Sequence, residues 1–255
     1  MRFLLTLLLI LLPMLASAVE FDENTRSLPL GLATQVFEDP TGSATIEDVS
    51  SPEGAAKFRA LDTGSLNAGY SRSAFWLKVQ LSYRPTNPVA SADWLLELAY
   101  PPMDHVDLYL ASDNGQPSLT WKTGDMLPFQ SRQIKQNNYL FDLNLKANES
   151  KTAYVRVESH GSVQAPLNLW ASHAYIEEQP SRLYILGMIY GVLAVMLVYN
   201  LFIYLSVRDT SYLYYILYIT CFGLYQVSVN GAGIEFLWPD DPWWANTSTT
   251  FLIAA

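Results

Sequence analysis

The chain has a single cysteine, Cys221, among 255 residues, so an intrachain disulfide is impossible and an exported domain must be held by its core alone. Histidine is nearly as scarce. His105, His160 and His173 show no metal-ligand spacing, and there is neither a G-x-S-x-G elbow nor a phosphate-binding glycine loop. The net charge of -9 comes without a cluster of Lys and Arg, which sets nucleic acid aside as a partner because phosphate binding needs concentrated cations. Charge of either sign nearly vanishes in the last third. Residues 183–255 hold only Arg208, Asp209, Glu235, Asp240 and Asp241, against 20 acidic and 13 basic residues over 20–182.

That last third is apolar instead. Residues 183–207 and 212–234 run for 25 and 23 positions without a charge. At about 1.5 Å per residue, either helix crosses a hydrocarbon layer of about 30 Å. A third apolar run begins near 247. A charge inside a bilayer costs at least about 2.5 kcal/mol, so Arg208 and Asp209 belong to a tight turn at a membrane surface. The opposite loop carries three acids and Trp238, Trp243 and Trp244, as an external interface should. At the start, one Arg, an apolar run over 3–12 and small residues at Ala16 and Ala18 predict a secretory signal peptide over 1–18. The polar region therefore lies outside the cytoplasm, and Arg208 faces inward.

Over 19–67 the chain is rich in Pro, Gly, Ser and acids, with strand-like pieces such as "TQVFED" and "SATIEDV", and reads as edge strands and loops. From Ser73 the period is two. Phe75, Leu77, Val79 and Leu81 alternate with Trp76, Lys78 and Gln80, and the pattern returns at Trp94, Leu96, Leu98 and Tyr100. It continues through Val106, Leu108 and Leu110, through Tyr139, Phe141, Leu143 and Leu145, and through Val155, Val157, Leu167 and Leu169. Turn signals separate these runs ("RPTNP", "SDNGQP", "KANES", "SHGS"). The fold class is an all-β antiparallel sandwich over 19–175, a short junction over 176–182, and the start of an α-helical transmembrane bundle over 183–255.

The stretches "LNAGYSRSAFWLKVQL", "WLLELAYPPMDHVDLYL", "GDMLPF" followed by Arg132, "YVRVESHGS" and "LYILGMIYGVLAVMLVYNLFIYLSVRDTSYLYYILY" resemble the bacterial seven-transmembrane receptors with diverse intracellular signalling modules. The resemblance is to those with the second type of extracellular domain. It implies a jelly-roll-like, carbohydrate-binding type of periplasmic domain and seven spans in the bacterial inner membrane. It also implies a cytoplasmic histidine kinase, diguanylate cyclase or similar output module. Only two spans and the beginning of a third are present, so the chain reads as the truncated input half of such a receptor, without enzymatic activity or cofactor of its own.

Seven residues lie out of phase with the core, Trp76, Lys78, Asp107, Tyr109, Tyr154, Arg156 and Glu158, and Trp170 joins them. Aromatic rings stack on sugar C–H faces while charged groups bind hydroxyls, so together they would make a glycan platform. Alternatively, the rings fill a second layer beneath loops. In the first span Gly187 and Gly191 form a G-x-x-x-G with Ala194 on the same face, a helix-packing surface toward the same bundle or a second protomer. Asn200 in the first span and Gln226 and Asn230 in the outer half of the second are amides that seek partners across helices.

The expected partners are a small-molecule or glycan ligand and membrane lipid, with a homodimer or a periplasmic partner protein left open. Two other classes stay in view. A membrane-tethered glycan-binding or glycan-hydrolysing protein would need, for hydrolysis, two carboxylates about 5 to 9.5 Å apart in a cleft. A transporter or assembly component would show a substrate cavity or broken helices at mid-membrane.

Overall fold

The computed structural model describes residues 18–87, 93–112 and 115–254. Apart from Ala18, the predicted signal peptide lies outside the described residues.

Two sheets pack face to face. The larger follows the order β4-β3-β6-β11-β8-β9. Its strands are β3 (Gln35–Asp39), β4 (Arg59–Ala60), β6 (Ala74–Tyr83), β8 (His105–Ser112), β9 (Ser118–Thr123) and β11 (Ser150–Glu158). Beside β6 lies β1 (Val19–Phe21), the one parallel pairing among the described residues. The smaller sheet is β10-β7-β13-β2, made of β10 (Tyr139–Asp142), β7 (Trp94–Leu98), β13 (Leu167–Ala171) and β2 (Ser27–Pro29). A separate hairpin joins β5 (Leu66–Tyr70) to β12 (Ser162–Ala165). Neither sheet closes into a barrel.

The alternation seen in the sequence sets the phase. Phe75, Leu77, Val79 and Leu81 of β6 share one apolar core with Leu96, Leu98, Phe141 and Leu169 from the other sheet. Each such side chain contributes about 1.5–3 kcal/mol by leaving water.

The segment "SATIEDV" departs from its strand-like reading. Thr45 and Asp48 form a reciprocal capping box, the Thr45 N–H donating to Asp48 at 2.9 Å, and this starts helix α1 (Ile46–Ser50). Ser51 then caps a second short helix, α2 (Pro52–Ala55), by accepting the Gly54 N–H at 3.0 Å. Ile46 and Val49 turn down onto the outer face of the large sheet, against Trp76 and Tyr154.

The long helix α3 (Ser172–Val207) starts on the residue after β13 ends, so the expected junction 176–182 is helical and no loop intervenes. Its 36 residues extend about 54 Å, with Pro180 in its third turn. Arg208 closes it in the left-handed conformation (φ 56°), its N–H bonded to Tyr204 O at 2.7 Å. Asp209 then caps α4 (Thr210–Val229) by accepting the Ser211 N–H at 2.9 Å. The charge pair of the turn is thus a C-cap followed by an N-cap. A π-helical turn over Gly233–Leu237 leads to α5 (Pro242–Ala254). The helices α3 and α4 are long and apolar enough to cross a membrane.

Candidate functional site

The register gathers seven of the eight predicted ligand residues. Tyr154 pairs with Lys78 on one side and Tyr109 on the other, and Arg156 lies between Trp76 and Asp107, with Glu158 next along the strand. All seven sit on the outer face of the large sheet. Their surroundings correct the expectation of an open platform, because α1 and Phe58 cover the rings. Trp76 has no exposed surface, Tyr154 is buried, and together with Ile46 and Val49 they form a second small core. Lys78 lies 5.7 Å from the Phe58 and Tyr154 rings, and burial pushes its ammonium down. Arg156 donates to Gly42 O at 3.0 Å and to Glu158 at 2.7 Å. Burial pushes the Asp107 carboxyl up, against the pull of Lys122.

Trp170 sits apart, on the outer face of the small sheet, where it belongs to a different structure. Glu97 is fully buried there between β10 and β13. Its carboxylate accepts from Asn138 Nδ2 (2.7 Å), Trp170 Nε1 (2.8 Å), Asn168 Nδ2 (3.2 Å) and Arg182 Nη1 (3.3 Å). The Arg182 guanidinium also lies 5.3 Å from the Trp170 ring and 6.0 Å from Tyr175. One buried acid therefore ties α3 to the sheet.

A second seam holds α5 and the turn before it. The Phe129 N–H donates to Pro239 O at 3.0 Å, and its ring packs with Ile234, Ala245 and Trp238. Asn137 Nδ2 donates to Asn230 O at 3.0 Å. Behind them Arg132 is buried against Tyr139, 4.5 Å from its ring centroid, with Nη1 donating to the carbonyls of Gln136 and Asn137.

At the centre of this seam two carboxylates meet. The Asp125 N–H donates to Met103 O at 2.8 Å, and the Met126 N–H to Asp104 O at 3.3 Å, which lays the two segments side by side. Gly124 (φ 150°) permits the approach, since a Cβ there would fall 1.9 Å from Asp104 O. Asn246 of α5 donates its Nδ2 to both acids, 2.9 Å to Asp104 and 3.2 Å to Asp125. Ser159 Oγ (2.8 Å) and the His160 N–H (2.9 Å) also donate to Asp104, and His160 Nδ1 lies 2.8 Å from it. Burial opposes the charge of Asp104, but these donors outweigh it and hold the carboxyl below its usual range. Burial and the neighbouring Asp104 charge push Asp125 up to about 7. Both acids line a cleft of about 400 Å³ whose walls include Tyr70, Tyr100, His160 and Tyr225.

The helix-packing residues divide as well. Asn200 is buried but donates to Met196 O of its own helix at 2.7 Å rather than across helices. The α3–α4 seam carries a different amide, Asn230 Nδ2 to Tyr190 OH at 3.1 Å. Gly187, Gly191 and Ala194 lie on the exposed side of α3, and a Cβ at either glycine would meet nothing within 4 Å.

A family model for the 7TMR-DISM extracellular 2 domain matches residues 31–171, and the model for the 7TM diverse intracellular signalling region matches residues 182–255. The chain belongs to the 7TMR-DISM receptors. No curated protein matches it. It is accordingly a membrane sensor receptor with its N-terminal domain outside, and the two matched regions are receptor parts rather than catalytic ones. The boundary is meaningful in this 7TMR-DISM chain. The first match ends at Ala171, where β13 stops, and the second begins at Arg182, the residue that Glu97 grips.

Of the residues that build the seams, sequence reasoning singled out Arg132 and Trp170 and gave no seam role to Glu97, Asp104, Asp125 or Asn246. Glu97 left a trace, an acid inside "WLLELAY" whose outward neighbour Leu95 is apolar, which marks that face as covered. The other three are joined only by the fold.

Proposed function

We propose that this chain is the input half of a signalling receptor in which a small ligand outside the membrane biases how the sandwich sits on the helices. One observation carries the reading: the sandwich grips α3 through Glu97 and α5 through Asp104 and Asp125, with a cleft between sandwich and helices at the second grip. A ligand in that cleft touches both parts at once, so it binds one seating better than another and shifts the population toward it. The output lies beyond the membrane, in a module of the histidine kinase or diguanylate cyclase class.

The ligand chemistry that suits the cleft is carbohydrate-like. Tyr70 is 87% exposed at its rim, Tyr100 lies beside it, and carboxylates and an amide face the same space. Rings of this kind take sugar faces while the polar groups take hydroxyls. A glycan panel titrated onto the full chain in lipid nanodiscs tests this. Binding that falls on Tyr70→Ala supports the site, and no binding across the panel removes the carbohydrate assignment. A flexible Gly/Ser insert between Ala171 and Ser172, in a receptor carrying its output module, tests the coupling; unchanged signalling would falsify it.

A second reading has one observation in its favour, since paired carboxylates held at different protonation are what glycan hydrolysis uses. Against it, the Asn246 amide occupies the space between Asp104 and Asp125. Release of reducing ends from a glycan panel would revive that reading.

A further inference from the structure

Asp104 and Asp125 are both more than nine-tenths buried, and two carboxylates gripped by one amide cannot both stay charged cheaply. The groups around them do not supply the missing cation. Arg132 gives Nη1 to backbone carbonyls and its face to Tyr139, its Nε and Nη2 are buried without a hydrogen-bond partner, and among the described residues it makes no ion pair with either acid, so its pull on Asp125 is the smallest of the effects acting there. Tyr139 gives its hydroxyl to Pro101 and Met103, and Tyr100 interacts with Ser162. His160 reaches Asp104 from the solvent side, with its own side chain 81% exposed. Glu235 lies beyond Arg132 and adds only negative charge. A proton is the neutralising agent left.

We propose that Asp104 and Asp125, with Asn246 between them, form a proton-operated latch that sets how firmly α5 is seated on the sandwich, so that the acidity outside the membrane tunes the receptor. The coupling reading above matters only for the effect on output, because the latch itself can be measured without ligand or output module. Seated, Asp125 titrates at about 7. Unseated and hydrated, it returns to the ordinary carboxylate range. The seated form therefore binds the proton more tightly. Seating is strongest in acid, weakens as pH rises from the ordinary carboxylate value toward about 7, and levels off above it. Asp104, held low by its donors, stays charged through this window.

The test is amide hydrogen exchange of segments 124–126 and 244–249 in the full chain in nanodiscs, corrected for intrinsic pH dependence, between about pH 5 and about pH 8. Protection in both segments should fall about a hundredfold toward higher pH, the factor equivalent to the roughly two pKa units between about pH 5 and the seated value of about 7. Asp125→Asn should stay protected throughout. A flat wild-type profile, or the same fall in Asp125→Asn, overturns the latch. So does a fall that persists in Asp125→Asn and vanishes in His160→Gln, which would move the switch to the imidazole. Should Asp125→Asn fail to fold, infrared difference spectra of the wild type decide: a protonated buried carboxyl that disappears over the same range supports the latch, and its absence overturns it. Intact glycan binding beside a flat profile would remove the latch while leaving the proposed ligand site standing.

Discussion

The two sheets cover their outer faces in different ways, although both display a tryptophan out of phase with the core. Over the large sheet the chain folds back on itself. The short helix α1 and Phe58 seal Trp76 and Tyr154 into a second apolar layer. Over the small sheet the cover is α3 itself, and Trp170 spends its N–H on Glu97 while its ring lies beneath Arg182. The first face is closed by apolar contact, which is non-directional and self-contained. The second adds directional polar contacts to an apolar patch of Leu95, Leu140 and Tyr175, and its cover is a helix that enters the membrane. An out-of-phase aromatic therefore means only that something covers the sheet; its polar neighbours tell whether the cover is local or a connection.

The largest test of that contrast is Trp76→Ala. It should cost about 4 kcal/mol, as large-to-small changes in a closed core do, and lower the melting temperature while hydrogen exchange at 172–182 follows the global change only. A selective loss of protection in α3 would mean that the sealed face is also a connection. Next comes Glu97→Ala, which strands three neutral donors and Arg182. About 3 kcal/mol is expected, short of the full cost of a broken buried pair because Arg182 keeps access to water, with exchange rising first in 172–182. Glu97→Gln, which keeps an acceptor, should recover about half of that stability. At the other seam, Asn246→Ala removes charge-assisted hydrogen bonds of about 1.5–3 kcal/mol, and the effect should stay local, read as faster exchange at 242–249 with little change in global melting. Smallest is Arg26→Ala. Its bridge to Glu177, the other ion pair from the sandwich to α3, has both side chains about 60% exposed and lies in solvent. Its loss should leave the melting temperature unchanged. If Arg26 mattered as much as Glu97, burial would not be what distinguishes the contacts.

Much of the sandwich was legible because strand phase is a local property. Leu77, Leu96, Leu108, Val155 and Leu169 all face the core that alternation assigns them. Phase also explains why seven candidate site residues share a face, since β6, β11 and β8 are neighbours. Phase cannot say what lies above a face. The cover over Trp76 comes from "TIEDVS", where Ile46 and Val49 fit one face of a short helix and the Thr45–Asp48 box is the only local sign of it. Nor can phase say which sheet a strand joins, so Trp170 was grouped with residues on the opposite side of the molecule. The acid pair is less visible still, because Asn246 stands 142 residues from Asp104 and 121 from Asp125. In the bundle, spacing identified the G-x-x-x-G face but not its neighbour, and α4 packs along another side of α3.

The direct passage from β13 into α3 has a mechanical consequence. Without a swivel between them, the helix acts as a lever rooted in the sheet, and its length multiplies small movements at the root. Tilting a rod of about 54 Å by about 5° carries its far end sideways by about 5 Å, close to the rise of one helical turn. A reseating too slight to disturb any strand would thus arrive at Arg208 as a displacement large enough to change which side chains meet on the inner surface.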